Sequence, residues 1–302
     1  MTGPSASKSV SNLTTTLHRE PYAAIDPSRP ELSQRRQTVL ITGSSGGIGY
    51  AIARSFAKAG AATVILTGRQ ERPLAEAAKA LKAQYPKTTF IDKKLDIANS
   101  GAAKDLWGGF HAEGLVVDVL VLNAARAQAV NATMLELGYK EVMADFAVNV
   151  GANMEFADYF YHQKKRDASK KLSMVNVSTS LIHDFDTMGM WPNYSASKNA
   201  GTMVMQQIAK DVSASDMQVI SFHPGVIFTP SARNAGLSKE AVDWDDEDLP
   251  GHYAVWAASN EAAFLHGRFT WAAWDVDELR SGAIRQRIDS DANYLKVGVV
   301  GL

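Results

Sequence analysis

Short apolar runs alternate with longer amphipathic segments from residue 38 almost to the end of the chain. The apolar runs are rich in β-branched residues and predict seven strands, at residues 38–42, 63–67, 89–93, 117–122, 172–177, 218–222 and 267–271. The amphipathic segments predict helices, at about residues 47–59, 71–84, 100–112, 134–147, 151–165, 194–214 and 276–287. Such alternation is typical of βαβ units. We therefore predict an α/β fold, with one doubly wound domain around a mainly parallel seven-stranded sheet.

The N-terminal segment departs from this pattern. Residues 1–36 are rich in Ser, Thr and Pro and show little apolar periodicity. They predict an extension that is either poorly ordered or draped over the surface. The domain itself is predicted to cover residues 37–302.

The composition narrows the classes of partner. The net charge of the 302 residues is only -1, so we expect neither nucleic acid nor a membrane surface as a partner, but small molecules and copies of the chain itself. The chain has no cysteine, which excludes disulfides, thiolate catalysis and cysteine metal sites. It also lacks an apolar run of about 18 to 20 residues and an N-terminal secretory signal, so we expect a cytoplasmic protein.

A glycine-rich segment joins the first predicted strand to the first predicted helix. It reads T-G-S-S-G-G-I-G from Thr42 to Gly49. Glycines there allow the backbone to approach a pyrophosphate closely, and the helix N-terminus offers free N–H groups and the positive end of its dipole. We therefore predict a dinucleotide site of the Rossmann type. Its candidate residues are Gly43, Ser44, Ser45, Gly47, Ile48 and Gly49.

Six motifs, in order along the chain, resemble those of the short-chain dehydrogenase/reductase family. They are the T-G-x-x-x-G-x-G turn, Leu95-Asp96-Ile97, Asn123-Ala124-Ala125, Asn149, Tyr194-x-x-x-Lys198, and the segment from Pro224 to Thr229. Residues 264–279 and 292–302 also resemble a fungal branch of that family. At Ala125 the family usually has glycine, and we expect the extra methyl group to tighten the turn.

The resemblance implies how these motifs hold a nicotinamide dinucleotide. The implied contacts are Asp96 and Ile97 at the adenine end, Asn123 and Ala124 at the adenosine ribose, Ile227 and Thr229 at the nicotinamide carboxamide, and Pro224 and Gly225 in the same loop. By the same resemblance, Lys198 bonds the nicotinamide ribose, and Asn149 holds a water that connects Lys198 to solvent.

Tyr194 and Lys198 lie one turn apart on one face of a predicted helix. A phenol titrates at about pH 10 in water, and a nearby ammonium, helped by the charge of an oxidised nicotinamide, is expected to lower that pKa. Tyr194 is therefore predicted to give or take the proton of the substrate hydroxyl.

A second hydroxyl is needed to orient the substrate oxygen, and the family takes it from the end of the fifth strand. Ser178, Thr179 and Ser180 follow one another there. Register with the family's usual double serine favours Thr179, whereas a slightly longer loop before Tyr194 favours Ser180. Both hydroxyls can donate and accept, so both assignments stay open. Ser178 is expected to cap the end of the strand.

The residues after the second predicted strand bear on the form of the cofactor. An acidic side chain at the place of Gly68 would bond the ribose 2′-hydroxyl of NAD(H), and none is present. The next residue, Arg69, can meet a 2′-phosphate through paired, charge-assisted hydrogen bonds. We therefore predict that NADP(H) is preferred, with NAD(H) as the alternative.

The family covers its substrate with the segment that here spans about residues 230–251. An acidic cluster in it, from Asp243 to Asp248, either rejects anionic substrates or forms a solvated helix face. Phe228, Trp244 and Met190 suit an apolar or aromatic ketone.

Residues 151–165 carry more large apolar side chains than one core-facing stripe can bury. These are Met154, Phe156, Tyr159, Phe160 and Tyr161. Because the family pairs its subunits through this helix and the one that bears Tyr194, we predict a homodimer or homotetramer.

These features predict an NADP(H)-dependent oxidoreductase that interconverts ketones and alcohols. Reduction of a small apolar or aromatic carbonyl compound, in secondary metabolism, is the expected reaction. We expect no catalytic metal, since the histidines lack the spacing of metal ligands. Two other functions stay open: a redox sensor that binds the dinucleotide without turnover, and an enzyme that uses the same cofactor for cyclisation or elimination.

Overall fold

Seven parallel strands form the centre of the molecule in the computed structural model, which describes residues 13–99, 101–127, 132–184, 191–234 and 236–299. The strands are β1 (Thr38–Ile41), β2 (Thr63–Gly68), β3 (Thr89–Lys94), β4 (Val119–Leu122), β5 (Leu172–Val177), β6 (Met217–His223) and β7 (Arg268–Trp271). Their order in the sheet is β3-β2-β1-β4-β5-β6-β7. The predicted fold class is confirmed. The order reverses between β1 and β4, and sheets of this kind bind ligands at that point, beyond the carboxyl ends of the strands.

Helices connect the strands and cover both faces of the sheet. They are α1 (Gly47–Lys58), α2 (Glu71–Gln84), α3 (Ala102–Glu113), α4 (Met134–Phe146), α5 (Asn153–Tyr161), α6 (Pro192–Asp211), α7 (Pro230–Asn234), α8 (Asp248–Ala258), α9 (Val276–Leu279) and α10 (Gly282–Ser290). A π-helical turn, Ala147–Ala152, joins α4 to α5 without a break. The single helix predicted at residues 276–287 is instead divided in two, because Gly282 adopts a φ of 59°.

The two faces of the sheet carry separate apolar layers. Val39 and Ile41 of β1 face the layer formed with α1 and α8, and Leu40 faces the layer formed with α3, α5 and α6. Strands buried on both sides read as continuous apolar runs instead of alternating ones, which explains the pattern seen in the sequence.

Helix α8 was not predicted from the sequence. Its first turn contains Pro250, which is tolerated because the first N–H groups of a helix have no partner within the helix. Gly251 follows, and a Cβ there would stand 2.7 Å from Ala51 O and 2.5 Å from Ser55 Oγ of α1. Glycine at position 251 therefore allows α8 to pack closely on α1. The segment predicted to cover the substrate, at about residues 230–251, thus includes the first turn of α8, which is buried from Leu249 onward.

Residues 13–36, which we call the arm, lie against the folded domain. Leu17 forms an antiparallel bridge with Trp274, and Ile25 and Leu32 are fully buried. The draped arrangement, and not the poorly ordered one, therefore applies to these residues. Residues 1–12 lie outside the described part of the chain.

Candidate active site

The glycine-rich turn between β1 and α1 is packed so closely at Gly43 and Gly49 that side chains do not fit at these two positions. Gly43 has a φ of 67°, and a Cβ on it would stand 3.0 Å from Cα of Ala124. A Cβ on Gly49 would stand 2.3 Å from the carbonyl oxygen of Gly43. Ile48 is partly buried and packs on the core. The turn and the segment after β4 thus meet at the point where the strand order reverses.

Two predicted cofactor residues hold the shape of this turn with their side chains. Ser44 is fully buried; its Oγ donates to Ile41 O at 3.0 Å and accepts from the Thr67 N–H at 3.0 Å. The Nδ2 of Asn123 donates to the carbonyl oxygens of Thr42 and Gly43, at 2.9 and 2.8 Å. The N–H groups of both residues are also used within the chain, by Thr67 O and Thr42 Oγ1, so Ser44 and Asn123 fix the shape of the turn.

The residues predicted at the adenine end surround the ends of β2 and β3. A Cβ on Gly68 would stand 3.3 Å from Oγ of Ser45, so Ser45 packs on that glycine. Arg69 is exposed and makes no ion pair with any other described residue. Asp96 and Ile97 are half-buried, and Asp96 Oδ1 accepts from the Ala98 N–H at 3.0 Å.

Ala125 causes no strain in the turn after β4. It is exposed, and its φ does not lie in the left-handed region. The expectation that its methyl group tightens the turn is therefore wrong, because the side chain points into open space.

The loop after β6 reaches the glycine-rich turn. Thr229 Cγ2 lies 3.2 Å from the place where Gly47 would carry a Cβ, and Thr229 Oγ1 accepts from the Ala232 N–H at the start of α7. Pro224 and Ile227 are buried, and Gly225 has a φ of 95°. The segment predicted to bind the pyrophosphate and the segment predicted to bind the nicotinamide thus lie next to each other.

Tyr194 and Lys198 lie one turn apart on α6, as the sequence predicts. Lys198 is 3% exposed, and its ammonium donates to Val177 O at the end of β5; this is its single partner among the described residues. Burial lowers the pKa of Lys198 to about 8. Burial raises the pKa of Tyr194 to about 12, opposite to the predicted direction, because desolvation of the phenolate outweighs any effect of the ammonium.

Asn149 lies in the π-helical turn that joins α4 to α5, and protein groups occupy its amide. Its Oδ1 accepts from the Arg126 N–H at 2.9 Å, and its Nδ2 donates to Arg126 O and Ser197 Oγ, each at 2.9 Å. Its carbonyl oxygen accepts from Asn153 Nδ2 at 3.0 Å. Each of these two oxygens has a second lone pair, so a water can bind Asn149 at its carbonyl oxygen or at Oδ1, whereas both hydrogens of Nδ2 are used.

The three hydroxyls after β5 have different surroundings. Ser178 Oγ is 2.6 Å from Thr202 Oγ1, so it ties the strand to α6 and does not cap it as expected. Thr179 is buried, and its Oγ1 accepts from the Leu181 N–H at 3.3 Å, which leaves its O–H available as a donor. Ser180 is half-buried and begins a short 3-10 turn.

An aromatic cluster lies beside β7, at Trp271 and two histidines. The Nε1 of Trp271 donates to His183 Nε2 at 3.3 Å, and the ring of His223 packs edge-on against Trp271. Burial, together with the nearby His183, lowers the pKa of His223 to about 3, so it is neutral at working pH.

No group of three or more potential metal ligands occurs in the described part of the chain, and no described helix is long and apolar enough to cross a membrane.

The acidic cluster before α8 forms ion pairs instead of a solvated helix face. Arg19 of the arm pairs with Asp243 and Asp245, and Arg54 of α1 pairs with Glu247 and Asp248. No pattern in the sequence predicts these pairs, because their arginines lie about 190 to 230 positions away along the chain. Of the three residues predicted to face the substrate, Phe228 and Trp244 lie 5.1 Å apart between ring centres, and Met190 lies outside the described residues.

The aromatic side chains of α5 are mostly buried within the chain, contrary to the reason given for an oligomer. Phe156 and Phe160 belong to the core, and Tyr161 donates its hydroxyl to Asp216. The exposed apolar side chains of this region instead lie on α4, α5 and α6. They are Met134, Leu135, Tyr139, Met143, Met154 and Met203.

The fold and the site together define a dinucleotide-binding protein with a Tyr–Lys pair. A family model described as short chain dehydrogenase matches residues 37–240. A short chain dehydrogenase/reductase of Aspergillus aculeatus is 34% identical over 95% of this chain and 96% of its own length. Another, of Claviceps purpurea, is 35% identical over 87% of this chain and 86% of its own. The chain belongs to the short-chain dehydrogenase/reductase family of oxidoreductases, and its likeness to fungal members is confirmed.

Solved structures agree with this assignment. A 3-oxoacyl (acyl-carrier-protein) reductase of Agrobacterium tumefaciens with NADP bound is 25% identical, with a TM-score of 0.68, over 80% of this chain and 96% of its own. The L-sorbose reductase of Gluconobacter frateurii, complexed with NADPH and L-sorbose, has a TM-score of 0.70 at 22% identity, over the same shares of the two chains. The second likeness concerns the fold alone.

Proposed function

We propose that this protein reduces a small apolar or aromatic ketone with NADPH, in the cytoplasm. The observation that carries the proposal is the pair on α6. The buried Lys198 ammonium has two N–H donors without a described partner, one turn away from Tyr194 on the same helix, and the Tyr194 phenol is protonated at neutral pH, as a phenol is in water. A protonated phenol is the form that reduction of a carbonyl requires.

The residues at the end of the sheet fit a dinucleotide. Gly46 and Gly47 carry no side chain at the N-terminus of α1, so a pyrophosphate can approach the backbone there. Arg69 is free to meet a 2′-phosphate, and Ser45 lies beside the neighbouring Gly68. The reductase of Agrobacterium tumefaciens with NADP bound supports the phosphorylated cofactor as the preferred one. The alternative, NAD(H), would lose the contact with Arg69.

Each catalytic side chain has a distinct task in this proposal. The bound cofactor supplies the hydride that goes to the carbonyl carbon. Tyr194 donates its hydroxyl proton to the oxygen, Lys198 stabilises the phenolate that remains, and Thr179 donates a hydrogen bond that orients the oxygen. Asn149 acts on Lys198 indirectly, since its Nδ2 bonds Ser197, the residue before that lysine.

Thr179 is favoured over Ser180 as the orienting hydroxyl. It directly follows Ser178, which the bond to Thr202 holds against α6, the helix of Tyr194. Thr179 is also buried, whereas Ser180 is half-buried. A buried donor with its hydrogen unused is better suited to hold a substrate oxygen than a donor that water can reach.

The test is the decrease in NADPH absorbance with a panel of apolar and aromatic ketones. We expect consumption of NADPH in proportion to the alcohol formed. Binding of NADPH without turnover of any ketone would contradict the proposal and favour the sensor. Product formation without net consumption of NADPH would favour cyclisation or elimination.

We also propose a homodimer or homotetramer, because Leu135 and Tyr139 of α4 are 94% and 82% exposed beside the exposed methionines of α5 and α6. Light scattering at micromolar concentration should give two or four chain masses. Tyr139→Glu should lower that mass, and a single-chain mass for the unaltered protein would contradict the proposal.

A further inference from the structure

Asp245 fixes the loop after β6 to the segment before α8. Its Oδ2 accepts from the Val226 N–H at 2.8 Å, and its own N–H donates to Val226 O at 2.8 Å. Asp245 also forms a parallel bridge with Ile227. A Cβ on Gly225 would stand 2.7 Å from the same Oδ2. The close approach of the two segments therefore depends on glycine at position 225.

The arm holds the other oxygen of this carboxylate. Arg19 Nε donates to Asp245 Oδ1 at 2.9 Å, and the carbonyl oxygen of Arg19 accepts from the Asp246 N–H at 2.8 Å. The side chain of Asp245 is 13% exposed, whereas that of Asp243, the second acidic partner of Arg19, is 93% exposed. The pair with Asp245 is therefore the sheltered one, and water screens it less.

The arm is itself anchored on both sides of Arg19. His18 Nε2 lies 2.8 Å from Asp275 Oδ2, and the His18 ring stacks on Tyr22 with 3.5 Å between ring centres. The carboxylate of Glu278 accepts from the N–H groups of Thr15 and Thr16, at 2.7 and 2.9 Å. Arg19 thus projects from an ordered backbone, and little further conformational entropy is lost when it pairs.

We propose that Arg19 and Asp245 are positioning residues, through which the arm holds the loop of residues 224–229 ready for the nicotinamide end of the dinucleotide. The inference rests on the proposed function, which assigns that loop to the carboxamide. Val226 is 48% exposed, so its side chain packs little on the domain, and its backbone is held by the two hydrogen bonds to Asp245. A loop that is ordered before the ligand arrives loses less entropy on binding, which raises affinity.

Arg19→Ala tests the proposal by steady-state kinetics. We expect the KM and the Kd for NADPH to rise about two- to fivefold, as for the loss of a partly exposed ion pair, and kcat to fall by less than about twofold. Arg19→Lys should restore part of the affinity. The matched control is Arg72→Ala, which removes an exposed pair with Glu76 on α2 and should change neither constant.

Two further measurements separate positioning from general stability. Asp245→Asn keeps an acceptor for the Val226 N–H but loses the charge that pairs with Arg19. When Arg19→Ala is added to Asp245→Asn, the KM for NADPH should therefore rise little further. Amide hydrogen exchange at Val226 should be faster in Arg19→Ala than in Arg72→Ala, and this readout requires no activity.

The outcomes distinguish this inference from the proposed function. An unchanged KM and unchanged Val226 exchange in Arg19→Ala would overturn the inference alone. An equal loss of kcat and thermal stability, without recovery in Arg19→Lys, would also overturn it, since the arm would then serve stability only. Failure of the unaltered protein to bind NADPH would overturn the proposed function, and the inference that rests on it.

Discussion

Replacement of Arg69 by alanine tests the preference for NADPH at the side chain on which it depends. The guanidinium is exposed at the end of β2, next to Gly68, and has no competing carboxylate among the described residues. A charge-assisted hydrogen bond contributes about 1.5 to 3 kcal/mol when sheltered, and an exposed ion pair about 0.2 to 1 kcal/mol. Because Arg69 is exposed but its phosphate partner is doubly charged, we expect a loss of about five- to thirtyfold in NADPH affinity.

The assay is the Kd of each reduced dinucleotide, measured by fluorescence titration. Arg69→Ala should raise the Kd for NADPH and leave the Kd for NADH unchanged. In the unaltered protein, the difference between the two Kd values should become smaller at high salt. Arg72→Ala, three residues further on, is the control for a general loss of positive charge. Equal affinities of the unaltered protein for NADPH and NADH would refute the reasoning. An equal rise of the Kd for NADPH in Arg69→Ala and in Arg72→Ala would refute it as well.

Three other perturbations test separate parts of the account. Thr179→Ala should lower kcat more than Ser180→Ala, measured by NADPH absorbance. Gly251→Ala should cost about 1 to 3 kcal/mol of unfolding free energy in urea, since its Cβ would stand 2.5 Å from Ser55 Oγ. Burial lowers the pKa of Lys198 to about 8, so the ammonium is lost as the pH rises through 8, and NADPH binding should weaken between about pH 7 and about pH 9.5.

Each of these has its own control and contrary result. The opposite ranking of the two hydroxyl variants would assign the orienting role to Ser180. Gly109→Ala on α3, where no atom lies within 4 Å of the added Cβ, should be neutral or stabilising by up to about 1 kcal/mol, so an equal cost at both glycines would contradict the packing argument. The pH dependence should vanish in Lys198→Met, and its persistence there would mean that another group titrates.

The sheet and the turn could be predicted because local patterns determine them. Continuous apolar runs follow from burial on both faces, and the T-G-x-x-x-G-x-G spacing follows from a turn in which Gly43 and Gly49 touch neighbouring backbone. The predicted strands agree with the observed ones within two residues at each end. The spacing of Tyr194 and Lys198 was likewise sufficient to place them on one face of α6.

The remaining features depend on contacts between distant segments. Pro250 and Gly251 resemble helix breakers in the sequence, and only the approach of α1 shows why α8 accepts them. The acidic residues before α8 resemble a solvated face until Arg19 and Arg54 are placed beside them. The direction of the Tyr194 pKa was wrong for the same reason, since spacing reveals a neighbouring charge but not the loss of water.

The most direct test of carbonyl reduction is Tyr194→Phe, which removes the proposed proton donor and keeps the ring. NADPH should bind nearly as tightly as to the unaltered protein, and turnover of the best ketone should fall at least about a hundredfold. Turnover close to that of the unaltered protein, with NADPH still bound, would contradict the account, because the proton would then have to come from a group other than Tyr194.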